Sequence, residues 1–448
     1  MVRSSAALSF PLLGSKAVQV DFIGGRLSSD GGLLLLAQLD RQLGLTERAA
    51  ACLKDPRLSG RVRHSLLELL RQRVYQLAAG YEDCNDATTL REDPALKVAV
   101  GRAPHSGAPL ASQPTLSRLE DTIAEEEVAA LNALLVEQFL ELPRRAPRQV
   151  VLDFDPSEDP AHGQQELALF NGHYGSYCYL PLFVFASIAG EGEQHLVSAE
   201  LPERHSCDEE ALLATLARLV TALKARWPGV QVVFRGDAWF ALPVLYDWCE
   251  QHGVAYAIAL PANAVLERES VPWQETARRA AASSPTRAAR RFGEFPYQAN
   301  SWRRERWVVV KAEQNALGPN RRYLLTDGLG GTPRERYRFY CRRGDAENRI
   351  KELKAGVKSD RLSCMAFASN KVRLALSALA YVLLQRLRRL ARGTPLGRAQ
   401  VERLRTSLLK IAARVEESSR RVQVKLASSC PAQALFRQLA RRLGVAPG

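Results

Sequence analysis

The strongest constraint on the fold is the order of apolar segments between residues 148 and 260. Gln149–Asp155 is an apolar run of strand character that ends in a carboxylate. A long β-rich run over Tyr177–Ala189 and a shorter one over His195–Leu201 follow it. Glu209–Arg226 has the apolar period of a helix, and Val230–Phe234 is again strand-like, ending at Arg235-Gly236-Asp237. A helical pattern over Leu242–His252 and a strand over Ala255–Leu260 complete the series. The order β-β-β-α-β-α-β predicts an α/β fold in which helices flank a mixed sheet.

Three strands in a row followed by alternation is the ribonuclease-H-like arrangement. The flanking sequence divides around it. Residues 1–145 read as mainly helical and end at the Pro143–Pro147 boundary; helical stretches fall near Arg63–Ala79 and Glu126–Glu141, and Ser28-Ser29-Asp30-Gly31-Gly32 resembles a capped helix start. The Gly pair lacks the spacing of a phosphate-binding loop. Residues 262–333 read as a β-rich insertion, with alternating segments at Trp307–Val310 and Tyr323–Leu325. From Arg334 the pattern is helical almost to the end. The expected organisation is a helical N-terminal DNA-binding domain (1–145), a ribonuclease-H-like catalytic core (148–261 and 334–365), the β-rich insertion (262–333) and a basic helical C-terminal region (366–448).

Composition narrows the partner. The net charge is +14, and residues 331–448 alone carry 27 Lys/Arg against 8 Asp/Glu, so the first 330 residues are net acidic. A basic segment in which Arg far outnumbers Lys suits phosphate contacts, since the planar guanidinium pairs with phosphate in a fork and neutralised phosphates release counterions. The apolar stretch near Leu374–Leu387 is interrupted by Ser377, Gln385 and Arg386 and reads as a buried helix, so no membrane is expected as a partner. Ala6–Leu13 is too short for a secretory signal, which makes a cytoplasmic location the expectation. The eight cysteines include no CxxC pair, against a paired-cysteine zinc site or a disulfide framework. His162 and His205 fall at no recognisable metal-ligand spacing.

Acids at strand ends carry the chemistry. Asp155 ends the first strand and Asp237 the fourth, and strand ends border the ligand crevice of an open α/β sheet. Asp153, two residues earlier, points to the same sheet face as Asp155, so either can serve as the first carboxylate. Arg343, Glu347, Lys351, Lys354 and Lys358 form one stripe of a helix whose opposite stripe is Ile350, Leu353 and Val357. Carboxylates from separate elements are what a pair of Mg²⁺ ions needs, and such a pair, about 3.5–4 Å apart, activates the attacking oxygen and stabilises the leaving one in phosphodiester transfer. Each acid also has an ordinary reading, as a helix cap, a turn residue or half of a solvated Glu–Lys pair.

Tyr340-x-x-Arg343-x-x-x-Glu347 followed after six residues by Lys354 resembles the Tyr-(2)-Arg-(3)-Glu-(6)-Lys signature of a large group of bacterial insertion-sequence DDE transposases. Asp155-Pro156-Ser157 with His162-Gly163-Gln164-Gln165 is similar to that family's first-aspartate region, Arg235-Gly236-Asp237 to its second, and Glu347–Lys354 with Asp360-Arg361 and Ser363-Cys364 to its third. The likeness runs from about residue 20 to 390. It implies Asp155, Asp237 and Glu347 as the catalytic, metal-holding triad, with two Mg²⁺ ions for which Mn²⁺ can substitute. Pro156-Ser157 stands where the family more often has Ala/Gly-Thr, which keeps Asp153 open, and Ala238-Trp239-Phe240 departs from its commoner small residue and Gly-Phe. The resemblance further implies contacts from Tyr340, Arg343 and Lys354 to DNA, a base-stacking role for Trp302 or Trp307 of the insertion, and a homodimer in the DNA complex; the basic stripe adds Lys351 to the DNA contacts, and the tail beyond Leu390 is the expected pairing surface. The implied reaction is cleavage at transposon ends and strand transfer into target DNA. The alternatives are a non-catalytic DNA-binding descendant of such an enzyme and a metal-dependent nuclease.

Overall fold

Six consecutive buried residues in the first long strand, β1 (Gln149–Pro156), mean that the sheet it belongs to is covered on both faces. The computed structural model describes residues 7–143, 145–161, 163–172, 174–203, 208–283 and 288–446. Arg144, His162, His173, residues 204–207 and 284–287, and the chain ends fall outside the described residues. The chain divides into two compact units, one drawn from Glu120–Val382 and the other from Met1–Leu119 with Leu383–Gly448.

In the first unit β1 is followed by three short strands, β2 (Asp159–Pro160), β3 (Leu169–Asn171) and β4 (Ser176–Tyr179), which make a small separate sheet in the order β2-β4-β3. The main sheet resumes with β5 (Leu182–Ile188) and β6 (Gln194–Glu200), both antiparallel neighbours. The β-rich run from Tyr177 is therefore two strands, parted at Leu180-Pro181, where proline has no N–H to give to a ladder. The strands β7 (Gln231–Gly236) and β8 (Ala255–Leu260) add on the other side of β1 in parallel. Helices α1 (Glu125–Leu140), α2 (Glu209–Arg226) and α3 (Pro243–Gln251) pack beside them. One apolar cluster ties them together: Phe139, Leu152, Phe154, Leu216, Phe234, Tyr246 and Tyr256 are all buried in it.

Residues 262–333 do not stand apart from this sheet. After two helices, α4 (Ala264–Glu269) and α5 (Val271–Ala282), the strands β9 (Ala289–Tyr297), β10 (Arg306–Asn315) and β11 (Gly318–Asp327) extend it, because β11 pairs antiparallel with β8. The result is a mixed eight-stranded sheet in the order β9-β10-β11-β8-β7-β1-β5-β6.

The stretch from Pro333 to Val357 is two helices rather than one, α6 (Pro333–Cys341) and α7 (Gly344–Val357). Arg343 is the residue just before α7, and Gly344, a poor helix former, opens it. Tyr340 thus lies on α6 and Glu347 on α7. Ala346, Ile350, Leu353 and Val357 are buried, so the apolar stripe of α7 is its inner face; the helix lies against β1 and β6. Helix Phe367–Leu390 is long and apolar enough to cross a membrane, and 83% of its most apolar window is buried within the protein.

The second unit is not purely helical. Its helices include Leu33–Leu43, Leu66–Ala79 and Pro94–Val100, and a hairpin, Ala413–Glu417 with Val422–Leu426, pairs with Leu27–Ser28. The helical reading of the tail missed that hairpin, although Val422-Gln423-Val424-Lys425-Leu426 alternates with period two. An exposed hairpin, Leu8–Leu13 with Lys16–Val20, also stands in the stretch read as helical. Helix Leu33–Leu43 starts where the Ser28–Gly32 pattern placed it, with Gly32 at the N-cap, and the Gly31-Gly32 pair also serves close approach. Both N–H groups donate to the backbone of Ile411 and Leu409, and a Cβ on Gly32 would meet the Leu408 carbonyl oxygen at 1.8 Å.

Candidate active site

Strand register sets the site. Parallel pairing of β1 and β7 places Asp153 beside Arg235, so the next residues on that sheet face, Asp155 and Asp237, emerge together at the carboxyl ends of neighbouring strands. The turn after β7 is tight because Gly236 leaves room for Phe240; a Cβ there would sit 2.6 Å from that ring. Asp237 then accepts the Trp239 N–H at 2.9 Å and so does act as a cap, with its carboxylate half-exposed. Glu347 arrives from α7, with its side chain 47% exposed.

These three acids border one open cavity of about 720 Å³, which Glu158, Tyr174, Trp239, Lys351 and Lys354 also line. Arg343 bridges two of the acids, its Nη2 2.7 Å from Glu347 and its Nη1 3.3 Å from Asp155. The Nη1 is buried without a hydrogen bond, so its approach to Asp155 is coulombic only. Burial pushes the Asp155 carboxyl up to about 7; Arg343 opposes that rise, and the negative charges of Asp237 and Glu347 add to it. This is a crowded set of hard oxygens already drawing in a cation.

Asp153 has a different fate. It is wholly buried, and its two oxygens take the Arg235 Nε at 2.5 Å and Nη2 at 2.8 Å, with the Gln194 amide on the second oxygen. Arg235 also donates to the Phe339 carbonyl and lies 4.9 Å from the Phe339 ring. A carboxylate so engaged does not line the cavity. Of the two aspartates the sequence left open, Asp155 lines the cavity and Asp153 is held in a buried ion pair with Arg235.

The remaining candidates separate. Lys354 donates from its Nζ to the Glu158 carbonyl, Lys351 is exposed at the rim, and Tyr340 is half-buried against β10 and β11 beside Arg343. Trp302 is only 8% exposed, with Tyr246 and Tyr297 edge-on to its ring and Arg306 over it, so it is a core residue here. Trp307 is 54% exposed on β10. Among the described residues neither tryptophan lines the cavity.

Gln165 of the first-aspartate region is buried and donates to the Leu362 and Cys364 carbonyls, which joins that segment to the Ser363-Cys364 stretch. His162, His205 and Cys207 lie outside the described residues. Sequence reasoning missed Glu158, Asn171 and Tyr174 at the cavity; the only signal was the extra acid three residues after Asp155 and the Asn171-Gly172…Gly175 turn composition.

Asp155, Asp237 and Glu347 have the donor chemistry for a divalent cation such as Mg²⁺, and the Arg343 bridge shows that positive charge is accommodated among them. Among the described residues, no three His, Cys, Asp or Glu side chains converge closely enough to hold a metal ion in this conformation.

A comparison with curated proteins finds no match. The family model described as transposase DDE domain group 1 matches residues 10–447, nearly the whole chain, and the protein belongs to that family of DDE transposases.

Proposed function

We propose that this chain cuts DNA at the ends of a mobile element and joins the freed ends to target DNA, with Asp155, Asp237 and Glu347 as its catalytic carboxylates. The carrying observation is that three acids from β1, the β7 turn and α7 border one cavity together with the basic side chains Arg343, Lys351 and Lys354. The β1–β5–β6 meander with β7 and β8 parallel beyond it supports a ribonuclease-H-like core. The spacing of Tyr340, Arg343, Glu347 and Lys354 supports membership of the Tyr-Arg-Glu-Lys signature group.

The same three acids would hold Mg²⁺ or Mn²⁺, two ions in the full reading, and the bound metal would supply an activated oxygen nucleophile and charge stabilisation at the phosphodiester. The chain's own residues do the rest. Arg343 offsets part of the charge of Asp155 and Glu347 until a metal cation replaces it there or a DNA phosphate draws it away. Lys351 and Lys354 place positive charge at the rim, where a phosphate backbone would lie. The partners in this reading are element-end and target DNA, with two copies of the chain in the DNA complex, in the cytoplasm of a bacterial cell at the nucleoid.

The test incubates the full chain, Mg²⁺ or Mn²⁺ and a labelled duplex bearing an end of the element that encodes it. The parent gives cleaved and joined products, and Asp237→Asn and Glu347→Gln give neither. Variants that cut as well as the parent would refute the assignment, cleavage without joining would leave a nuclease, and metal-independent binding without cleavage a DNA-binding descendant.

A further inference from the structure

The β3–β4 hairpin beside the cavity has two faces of opposite character. Its strands pair Leu169 with Cys178, Phe170 with Tyr177, and Asn171 with Ser176. The Gly175 N–H closes the turn on the Asn171 carbonyl at 2.8 Å, and Gly175 sits at φ +67°, where glycine is favoured.

Asn171 lines the cavity, and Ser176 donates to Glu158 at 2.6 Å, so this face turns toward the acids. Tyr174, in the turn, lines the cavity as well; burial first, and the charges of Glu158, Asp155 and Asp237 after it, push its hydroxyl pKa up. Strand alternation sends Phe170 and Tyr177 to the opposite face. They stand 57% and 63% exposed, with ring centroids 5.5 Å apart at 67°. The base of the hairpin is fixed: Cys178 and Tyr179 are buried, the Tyr179 hydroxyl donates to the Glu166 carbonyl, and its ring packs against Phe367. An anchored hairpin that presents an unburied aromatic pair is built to meet something.

We propose that this hairpin is a strand-separating wedge: Asn171, Tyr174 and Ser176 face the DNA strand being cut, while Phe170 and Tyr177 stack on bases of the uncut strand. The inference rests on the DNA-cleaving reading of the cavity. DNA is favoured over another protein as the occupant because the same hairpin lines, through Asn171 and Tyr174, a cavity whose rim carries Lys351 and Lys354. A cavity with one set of acids acts on one phosphodiester at a time, and a hairpin beside it is placed to stand between the strand being cut and its complement. Aromatic faces there receive unpaired bases irrespective of sequence.

The experiment uses the full chain and two versions of the element end, one fully paired and one with three mismatched pairs at the cleavage site, with 2-aminopurine in the uncut strand. The parent cuts both and quenches the probe. Phe170→Ala with Tyr177→Ala cuts the paired end roughly tenfold or more slowly, no longer quenches, and regains most of the parent rate on the mismatched end. Phe170→Leu with Tyr177→Leu, which keeps the apolar bulk without the ring faces, behaves the same way. A double variant that cuts the paired end like the parent overturns the wedge, and so does equal loss on both ends. Loss of self-association without DNA, with cleavage unchanged, makes the pair a contact between copies and also overturns it. A parent that cuts neither end fails the underlying functional reading instead.

Discussion

Two acids on one face of one strand, two residues apart, have opposite surroundings. Asp153 is closed: both oxygens are taken by the Arg235 fork, with Gln194 alongside, in the middle of the sheet. Asp155 is open: among the described residues its carboxylate accepts no hydrogen bond, and the nearest cation, Arg343, stands 3.3 Å away and is shared with Glu347. The closed pair is hydrogen-bonded within the fold, although burial still raises the Asp153 carboxyl above its ordinary value against the pull of Arg235. The open cluster leaves like charges together, and burial with those charges drives Asp155 up to about 7. Acids gathered around one shared cation, with a strongly raised carboxyl in a cavity, mark a candidate functional site. Residue type therefore decides neither role; completion of the partner's geometry does.

The largest effect that breaks the comparison is on stability at the closed pair. Asp153→Ala strands a buried guanidinium, which costs about 3–5 kcal/mol. Chemical denaturation should show that loss, and Asp153→Asn should recover only part of it, because an amide can accept from Arg235 but carries no charge. If Asp153→Ala unfolds at the parent's denaturant concentration, the pair is not closed in solution.

At the open cluster the order of effects reverses. Asp155→Asn removes repulsion with Asp237 and Glu347, so stability holds or rises by about 1 kcal/mol. Cleavage of an element end should fall more than about 100-fold, since even outer partners of metal ligands cost 10- to 100-fold. Stability and cleavage measured on the same preparation sharpen the contrast. Asp153 variants that fold yet keep Asp155-like catalytic loss would merge the two roles.

Between these extremes stands Asp159, fully buried with neither oxygen hydrogen-bonded. Burial, and Asp360 after it, raise its carboxyl from 3.8 to about 8, against the pull of Lys354. The sign follows directly. The unfolded carboxyl loses its proton near 3.8 while the folded one keeps it to about 8, so the folded state binds more protons in that window and stability falls as pH rises through it. Asp159→Asn removes the titration. Between pH 6 and 8 the parent should lose on the order of 1–2 kcal/mol relative to the variant, with a constant difference below pH 4. Parallel stability curves across that range would show Asp159 to be ionised and paired after all.

What the sequence revealed follows the reach of its signals. The β-β-β-α-β-α-β order was legible because each element is local and carries its own period: Glu209–Arg226 falls where its pattern placed it, and β1 ends one residue beyond Asp155. Asp155, Asp237 and Glu347 were legible as candidates because they sit at element ends or on a patterned helix. The Arg235 fork on Asp153 was not, because register is a relation between strands some 80 residues apart and no local pattern encodes it. Nor was the pairing of β11 with β8, which makes the 262–333 segment part of the main sheet. Trp302 and Trp307 read alike in sequence, five residues apart in one segment, and only the packing of Tyr246, Tyr297 and Arg306 around the first separates them.

The smallest effect tests the rim. Lys351 is exposed on α7 at the edge of the cavity, without the carbonyl contact that holds Lys354, so its charge is available to a phosphate. Lys351→Ala should leave stability within about 0.5 kcal/mol of the parent, as for other surface changes. Affinity for element-end DNA and for unrelated duplex should fall by the same factor, because a phosphate contact carries no sequence information. The slope of log affinity against log salt should shrink by about 1, the signature of one lost phosphate contact. A loss confined to element ends would instead make Lys351 a reader of bases. An unchanged slope would move the DNA path off this side of α7, and with it the assignment of the open acids to a phosphodiester.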